Sequence, residues 1–566
     1  MSTASDTQTR TAPAPADPRP SAGASAPGSQ DSEVLLSVEN LRIGFGHDEP
    51  VVHNSSFQLR RGQCLAIVGE SGSGKSVTAR AVIGLAGRRA RVEAARLELD
   101  GIDLLRLSER RWREVRGNRI GFVLQDALVS LDPLRTVGAE VSEAVGAHHP
   151  ELTKAQRKQR AIELLGSVGI PDPELRAEQL AHELSGGLRQ RALIATALAG
   201  DPDVIIADEP TTALDVTVQA QILELFDELK SEGRALLVIS HDLAVVGRLA
   251  DRIAVMRNGR IVEHDDSDRV LFAPEDDYTR MLIDAVPEGR SPALGEVTGP
   301  VVARVEAVEK TFASPDGSVR NAVDGVSFEL RAGETLGLVG ESGSGKTTTA
   351  RILLGLTAPD AGRVEIDGTA WADLSRGARI AHRRSVQTVY QDTLGSFDPR
   401  YSVEKILHEA LGVTGLPRSA RRARTAQLLD AVGLSRTVLG RRPLDMSGGQ
   451  RQRVAIARAL APQPRIIVCD EPVSALDVSI QAQVLDLLTE LQRETGVAYL
   501  FISHDLSVIN HVSHRVLVMK SGRVVEHGEV EDVFTRPQHP YTAELVAAIP
   551  RLHAPAEIPI RKDTAL

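Results

Sequence analysis

Two stretches of this chain are built to hold phosphate. Residues 69–76 read GESGSGKS and residues 340–347 read GESGSGKT. In each, glycines such as Gly72 and Gly74, or Gly343 and Gly345, let backbone N–H groups turn inward around anionic oxygens. Gly69, Ser71, Gly340 and Ser342 complete the two loops. Lys75 and Lys346 carry the charge to neutralise terminal phosphates, and Ser76 and Thr347 offer a hydroxyl to Mg2+. Downstream, IIADE (205–209) and IIVCDE (466–471) are apolar runs that end in two acids. The first acid, Asp208 or Asp470, suits the shell of a hard cation. The second, Glu209 or Glu471, suits orienting or deprotonating an attacking water. The chemistry implied is hydrolysis of a nucleoside triphosphate such as ATP with Mg2+.

The elements that must position these groups can be read around them. CLAIV (64–68) and TLGLV (335–339) predict short buried strands. SVTARAVIGLA and TTTARILLGLT, from Ser76 and Thr347, predict helices. A strand, a glycine-rich turn and a helix N-terminus together form the setting that a phosphate loop requires.

The pattern is one half of an internal repeat, with residues of roughly 34–290 matching 301–566. VLQDALVSLDP (123–133) matches VYQDTLGSFDP (389–399), LSGGLRQRA (184–192) matches MSGGQRQRV (446–454), and VISHDL (238–243) matches FISHDL (501–506). Twenty-three residues separate Ser185 from Asp208 and Ser447 from Asp470, and seven separate Asp208 from Asp215 and Asp470 from Asp477. The expected organisation is a disordered tail over 1–33, a nucleotide-binding domain over 34–272, a segment and linker over 273–300, a second nucleotide-binding domain over 301–533, and a closing segment and tail over 534–566. Residues 126–180 and 392–445 read as helical insertions.

A net charge of −10 argues against a nucleic-acid partner. Cys64 and Cys469 are the only cysteines, lie far apart and form no CxxC pair, which argues against a disulfide framework or a cysteine-based zinc site. No run of 18 apolar residues is present, so no membrane-spanning helix is expected.

Phosphate loop, glutamine loop, LSGG or MSGG, DEP, ALD and SHD occur in that order twice, over about residues 34–550. The chain resembles a tandem nucleotide-binding subunit of an ABC transporter. That resemblance implies an α/β fold of two P-loop cassettes, each with a RecA-like core, a helical subdomain and an antiparallel β subdomain. It implies that the cassettes pair head to tail around two ATP molecules. One composite site would use Lys75, Ser76, Gln125, Asp208, Glu209 and His241 with Ser447, Gly448 and Gly449. The other would use Lys346, Thr347, Gln391, Asp470, Glu471 and His504 with Ser185, Gly186 and Gly187. Gln125 and Gln391 would join the Mg2+ shell, His241 and His504 would contact the γ-phosphate, and Asp215 and Asp477 would link the sites. Phe45 and Phe312 are placed either to stack on adenine or to pack in the core. One departure is Leu188, where the family usually has glutamine, as at Gln450. It puts the hydrolysis rate of the second site in question.

SLDP and SFDP resemble the corresponding SLNP of peptide importers, and RPQHPYTAELVAAIP (536–550) resembles their C-terminal HPYT segment. APEDDYTRMLIDAVP (273–287) is a second copy that lacks HP and keeps Tyr278 and Thr279. The resemblance implies an uptake ATPase for dipeptides or oligopeptides. It would lie on the cytoplasmic face of the cell membrane beneath two permease subunits, with an extracytoplasmic binding protein choosing the substrate. Nickel, glutathione and peptide-like antibiotics are alternative cargoes. A rival of another class is a tandem ABC ATPase acting on the ribosome. The short linker with Pro287, Pro292 and Pro300, and the HPYT-type segments, argue against it. An exporter ATPase and a soluble ATPase without transport are further rivals.

Overall fold

The computed structural model describes residues 33–46, 49–125, 130–212, 214–287, 289, 291, 294–313 and 319–550. The expected tail over 1–33, apart from Glu33, and the end of the chain over 551–566 lie outside them, as do residues 126–129 of the first glutamine loop.

Two six-stranded sheets form the centre of the molecule, one in each half. The first runs Arg260–Asp266, Arg252–Arg257, Cys64–Val68, Ala235–Ile239, Val204–Asp208, Ile120–Val123. Its strands pair in parallel, except that Arg260–Asp266 is antiparallel at the edge. The second repeats this with Val386–Val389, Ile466–Asp470, Ala498–Ile502, Thr335–Val339, Arg515–Lys520 and Arg523–Glu529. All five residues of Cys64–Val68 are buried, and so are all five of Thr335–Val339. A parallel sheet is covered on both faces, so its strands read as unbroken apolar runs.

Alternation then sorts the side chains to two cores. Leu65 and Ile67 join a core with Leu36, Val38 and Leu59. Those residues come from an antiparallel sheet of Val52–Arg60, Val34–Phe45, Arg96–Leu99 and Ile102–Asp103, with Ala90–Glu93 paired to Val34–Phe45. Cys64, Ala66 and Val68 face the opposite way, into a core built with helices. The second half uses Leu336 and Leu338 against its own antiparallel sheet, whose two long strands are Val301–Ala313 and Val319–Arg331. The two cysteines are buried and unpaired.

Helices Val137–His148, Lys154–Ser167 and Pro173–Ala177 occupy the first insertion, and Val403–Gly412 and Arg418–Ala431 the second. Lys154–Ser167 begins with a capping box in which Thr153 and Gln156 satisfy each other's backbone N–H groups. The halves touch: Val216 of the first is buried in the principal core of the second. Among the described residues no helix is long and apolar enough to cross a membrane.

Candidate functional site

Each phosphate loop leaves its strand at a glycine that nothing else replaces. A Cβ on Gly69 would lie 2.1 Å from the Met256 carbonyl oxygen, and one on Gly340 would lie 2.1 Å from that of Met519. Gly74 and Gly345 take φ of 104° and 107°, then helices Lys75–Val82 and Lys346–Leu353 begin. Lys75 is 5% exposed. Its Nζ donates to the carbonyls of Gly69 at 2.6 Å and Glu70 at 2.8 Å. Lys346 does the same with Gly340 at 2.6 Å and Glu341 at 2.9 Å. Burial pushes both ammonium groups below their ordinary pKa.

Strand Val204–Asp208 delivers Asp208 to the start of the first helix, where Ser76 Oγ donates to its Oδ1 at 2.8 Å. The carboxylate is 0% exposed, and its Oδ2 has no hydrogen-bond partner among the described residues. Arg80 stands 3.9 Å from that oxygen. Burial raises the pKa of Asp208 and likewise of Asp470. A serine hydroxyl beside a carboxylate with an open buried oxygen is an oxygen donor set that fits Mg2+.

The next residue turns sharply. Glu209 and Glu471 take φ of 50° and 48°, in the left-handed region that non-glycine residues seldom adopt. This conformation swings each carboxylate out of the strand. Gln125 Nε2 donates to Glu209 Oε2 at 2.6 Å, and His241 Nδ1 lies 3.3 Å from Oε1. Gln391 Nε2 donates to Glu471 at 2.7 Å, and His504 Nδ1 lies 3.1 Å away. Burial opposes ionisation of both glutamates, but the paired histidine and the lysine charge outweigh it and hold them below the usual range. Burial also works against the imidazolium, and the glutamate outweighs it, so both histidines are raised.

The acids of the two ALD turns reach across. Asp477 Oδ2 accepts from the N–H of Ser71 at 3.4 Å, and Asp215 Oδ2 accepts from the N–H of Ser342 at 3.4 Å. Ser479 Oγ also donates to Glu70 Oε1 at 2.8 Å. Each phosphate loop therefore meets the opposite half. Ser185 and Ser447 cap their own helices, accepting from the N–H of Leu188 and Gln450. Gly449 packs so closely on Ile480 that a Cβ would fall 2.5 Å from its Cγ2, and Gly187 faces Val218 at 2.3 Å. The glycine motif of one half thus rests on the ALD turn that touches the other half's phosphate loop. Leu188 has a structural consequence. Gln450 Oε1 accepts from the Ser447 N–H at 3.3 Å, closing a capping box, whereas Leu188 packs against the apolar core.

The aromatic candidates part ways. Phe45 is half-buried against the core of the first half, while Phe312 is 48% exposed. Beside Phe312, Arg320 donates to the Gly343 carbonyl at 2.7 Å. Sequence reading missed Arg320, the Ser479–Glu70 contact, the Thr212 hydroxyl that donates to Glu209 at 3.1 Å, and the left-handed glutamates. Repetition at matching positions was an available signal for the glutamates and for the two hydroxyls, since Ser474 stands where Thr212 does and Thr217 where Ser479 does.

Two cassettes of this architecture, each with a lysine-bearing phosphate loop and an Asp–Glu strand end, define a tandem P-loop ATPase. The ABC transporter family model matches residues 52–212 and 323–474, and that of the oligopeptide/dipeptide transporter C-terminal region matches 262–310 and 525–565. The chain is 41% identical to the oligopeptide transport ATP-binding protein OppD of Mycobacterium tuberculosis, covering 91% of this chain and 98% of that one. It is 43% identical to the glutathione import ATP-binding protein GsiA of Escherichia coli strain K12, covering 92% and 90%. A crystal structure of the archaeal ribosome recycling factor aABCE1 with stalk protein aP1 superposes with a TM-score of 0.59 at 22% identity, covering 86% and 88%, a likeness of fold alone. This chain belongs to the ABC transporter family of ATP-binding proteins and is an ATPase.

Proposed function

We propose that this chain is the ATP-hydrolysing subunit of an importer for dipeptides or oligopeptides, with both cassettes on one chain joined head to tail into two composite ATP sites. The observation that carries the pairing is reciprocal: Asp477 accepts from Ser71 and Asp215 accepts from Ser342. In each site Lys75 or Lys346 binds the terminal phosphates. Ser76 with Asp208, or Thr347 with Asp470, holds Mg2+, joined by Gln125 or Gln391. When bound, Mg2+ offsets phosphate charge. Glu209 or Glu471 orients and deprotonates water, with His241 or His504 beside it. Ser447, Gly448 and Gly449 of one cassette, and Ser185, Gly186 and Gly187 of the other, close over the opposite nucleotide. Contacts made only in the joined pair let nucleotide shift an open–closed equilibrium.

The importer reading is supported by the two matches to the oligopeptide/dipeptide transporter C-terminal region and by relatives named for oligopeptide transport and glutathione import. In this reading the chain sits at the cytoplasmic face under two permeases, which an extracytoplasmic binding protein supplies with cargo. Nickel, glutathione and peptide-like antibiotics are the competing cargoes.

The test is affinity capture of the full chain from gently solubilised membranes, with mass spectrometry of the partners and of bound small molecules. Two multi-span permeases, and a peptide on their binding protein, are expected. Ribosomal proteins without a permease would sink the importer reading. In parallel, Glu209→Gln with Glu471→Gln should retain ATP binding and lose turnover; unchanged turnover refutes the roles given to these glutamates.

A further inference from the structure

The tyrosine of each HPYT-type segment reaches back to a phosphate loop. Tyr278 lies in helix Asp277–Asp284 and Tyr541 in helix Pro540–Ala547; they are 3% and 2% exposed. The Tyr278 hydroxyl accepts from the N–H of Glu70 at 3.1 Å, and that of Tyr541 accepts from the N–H of Glu341 at 3.0 Å. These N–H groups belong to one particular peptide unit in each loop. Its other end is the carbonyl of Gly69 or Gly340, and that carbonyl takes the shortest hydrogen bond of Lys75 or Lys346, at 2.6 Å. A single rigid peptide plane is thus held by the tyrosine at its N–H and by the lysine at its C=O.

The rest of each tyrosine is fixed too. Arg257 lies 4.6 Å over the ring of Tyr278, and Lys520 lies 4.3 Å over that of Tyr541. Burial pushes both phenols up to about 12, so they stay neutral over the working range. The helix that carries Tyr278 packs on Val478–Thr495 of the opposite cassette, and that of Tyr541 packs on Val216–Ser231. On the first loop the Glu70 side chain is also held from that side, by Ser479.

We propose that Tyr278 and Tyr541 are positioning residues of the ATP sites: each hydroxyl sets the peptide plane on which the phosphate-binding lysine is seated, and so tunes nucleotide affinity from outside the nucleotide-binding motifs. This gives the C-terminal segment of each cassette a function at the ATP site. It rests on the reading that these loops bind ATP.

Nucleotide affinity tests it in the full chain carrying Tyr278→Phe and Tyr541→Phe. Tyr499→Phe is the control. Its hydroxyl is equally buried and donates to the Leu488 carbonyl at 3.1 Å, away from both loops. A hydrogen bond of this kind corresponds to about three- to tenfold in an equilibrium. The paired variant is expected to raise the dissociation constant of a fluorescent ATP analogue, and the KM for ATP, by that factor. kcat at saturating ATP should change less than twofold, and Tyr499→Phe should leave affinity unchanged. Equal affinity in the paired variant and the parent overturns the proposal. So does a fall in kcat with KM unchanged, or an equal loss in Tyr499→Phe. A parent chain that fails to bind the analogue overturns the ATP-site reading itself, a separate result.

Discussion

Replacing Asp477 with asparagine tests the join between the cassettes at a single oxygen. Oδ1 of Asp477 accepts from the N–H of Ile480 at 3.1 Å and caps the helix Val478–Thr495, while Oδ2 faces the N–H of Ser71. Asparagine caps as well as aspartate, so the helix loses at most a few tenths of a kcal/mol. With its oxygen kept on the cap, the new amide NH2 faces the Ser71 N–H, donor against donor. A hydrogen bond to a charged acceptor contributes about 1.5–3 kcal/mol net. This one is long, at 3.4 Å, so we take about 1–2 kcal/mol. At 1.4 kcal/mol per factor of ten, kcat/KM at the site holding Lys75 should fall about 5- to 30-fold. Total turnover distinguishes two cases. If the sites close independently, Asp477→Asn leaves about half of it; if closing is one event, turnover falls by the full factor. Steady-state phosphate release, paired with urea unfolding to confirm an intact fold, is the assay. Parent-like kcat/KM in Asp477→Asn refutes the reasoning, and parent-like values in the pair Asp215→Asn with Asp477→Asn remove the join altogether.

The Glu–His pairs predict a pH profile. Each glutamate is held below its ordinary 4.5 and each histidine above 6.5, so the stability they add is full between those values. It is lost as pH falls through the depressed glutamate value and as pH rises through the raised histidine value. Thermal midpoints against pH should lose their alkaline limb in His241→Gln with His504→Gln; an unchanged limb refutes the assignment. Gly69→Ala drives a Cβ to within 2.1 Å of the Met256 carbonyl oxygen and should cost about 3 kcal/mol or more, read as a lower urea midpoint. Gln450→Leu, which reproduces the first cassette's motif, opens the capping box and should cost about 0.5–1 kcal/mol by the same assay; an unmoved midpoint would show that the second hydrogen bond is idle.

Much of the candidate nucleotide site is legible in the sequence because its parts are local. CLAIV and TLGLV form strands with those same bounds, since a strand covered on both faces leaves an unbroken apolar run. The helices start one residue earlier than the hydrophobic pattern indicates, at Lys75 and Lys346, because glycine turns rather than apolar periodicity set their first turn. The insertions over 126–180 and 392–445 contain the expected helices where described. Other features are not local. Periodicity carries no distance information across 406 residues, the separation of Ser71 from Asp477. The left-handed backbone of Glu209 and Glu471 runs against residue preference, so no propensity argument finds it. Phe45 and Phe312 occupy matching positions, yet only the latter is exposed, because burial depends on what packs above each. The short linker is docked at its described residues, which sequence alone does not show: the Ser291 N–H donates to the His511 carbonyl at 2.9 Å, the Gly289 carbonyl lies 3.3 Å from His511 Nδ1, and that of Gly295 lies 3.1 Å from His514 Nε2.

That docked linker makes the assembly insensitive to dilution. Pinned to the second cassette, it shortens the tether between halves, and a short tether keeps one half at an effective concentration on the order of millimolar around the other. In the proposed open–closed cycle, separation would be a recoil within one molecule, and specific activity should stay constant however dilute the enzyme. The same arrangement fixes who meets whom. Leu188 lies in the cassette opposite Lys346 and Gln450 in the cassette opposite Lys75, so one chain carries two unlike signature motifs in fixed places.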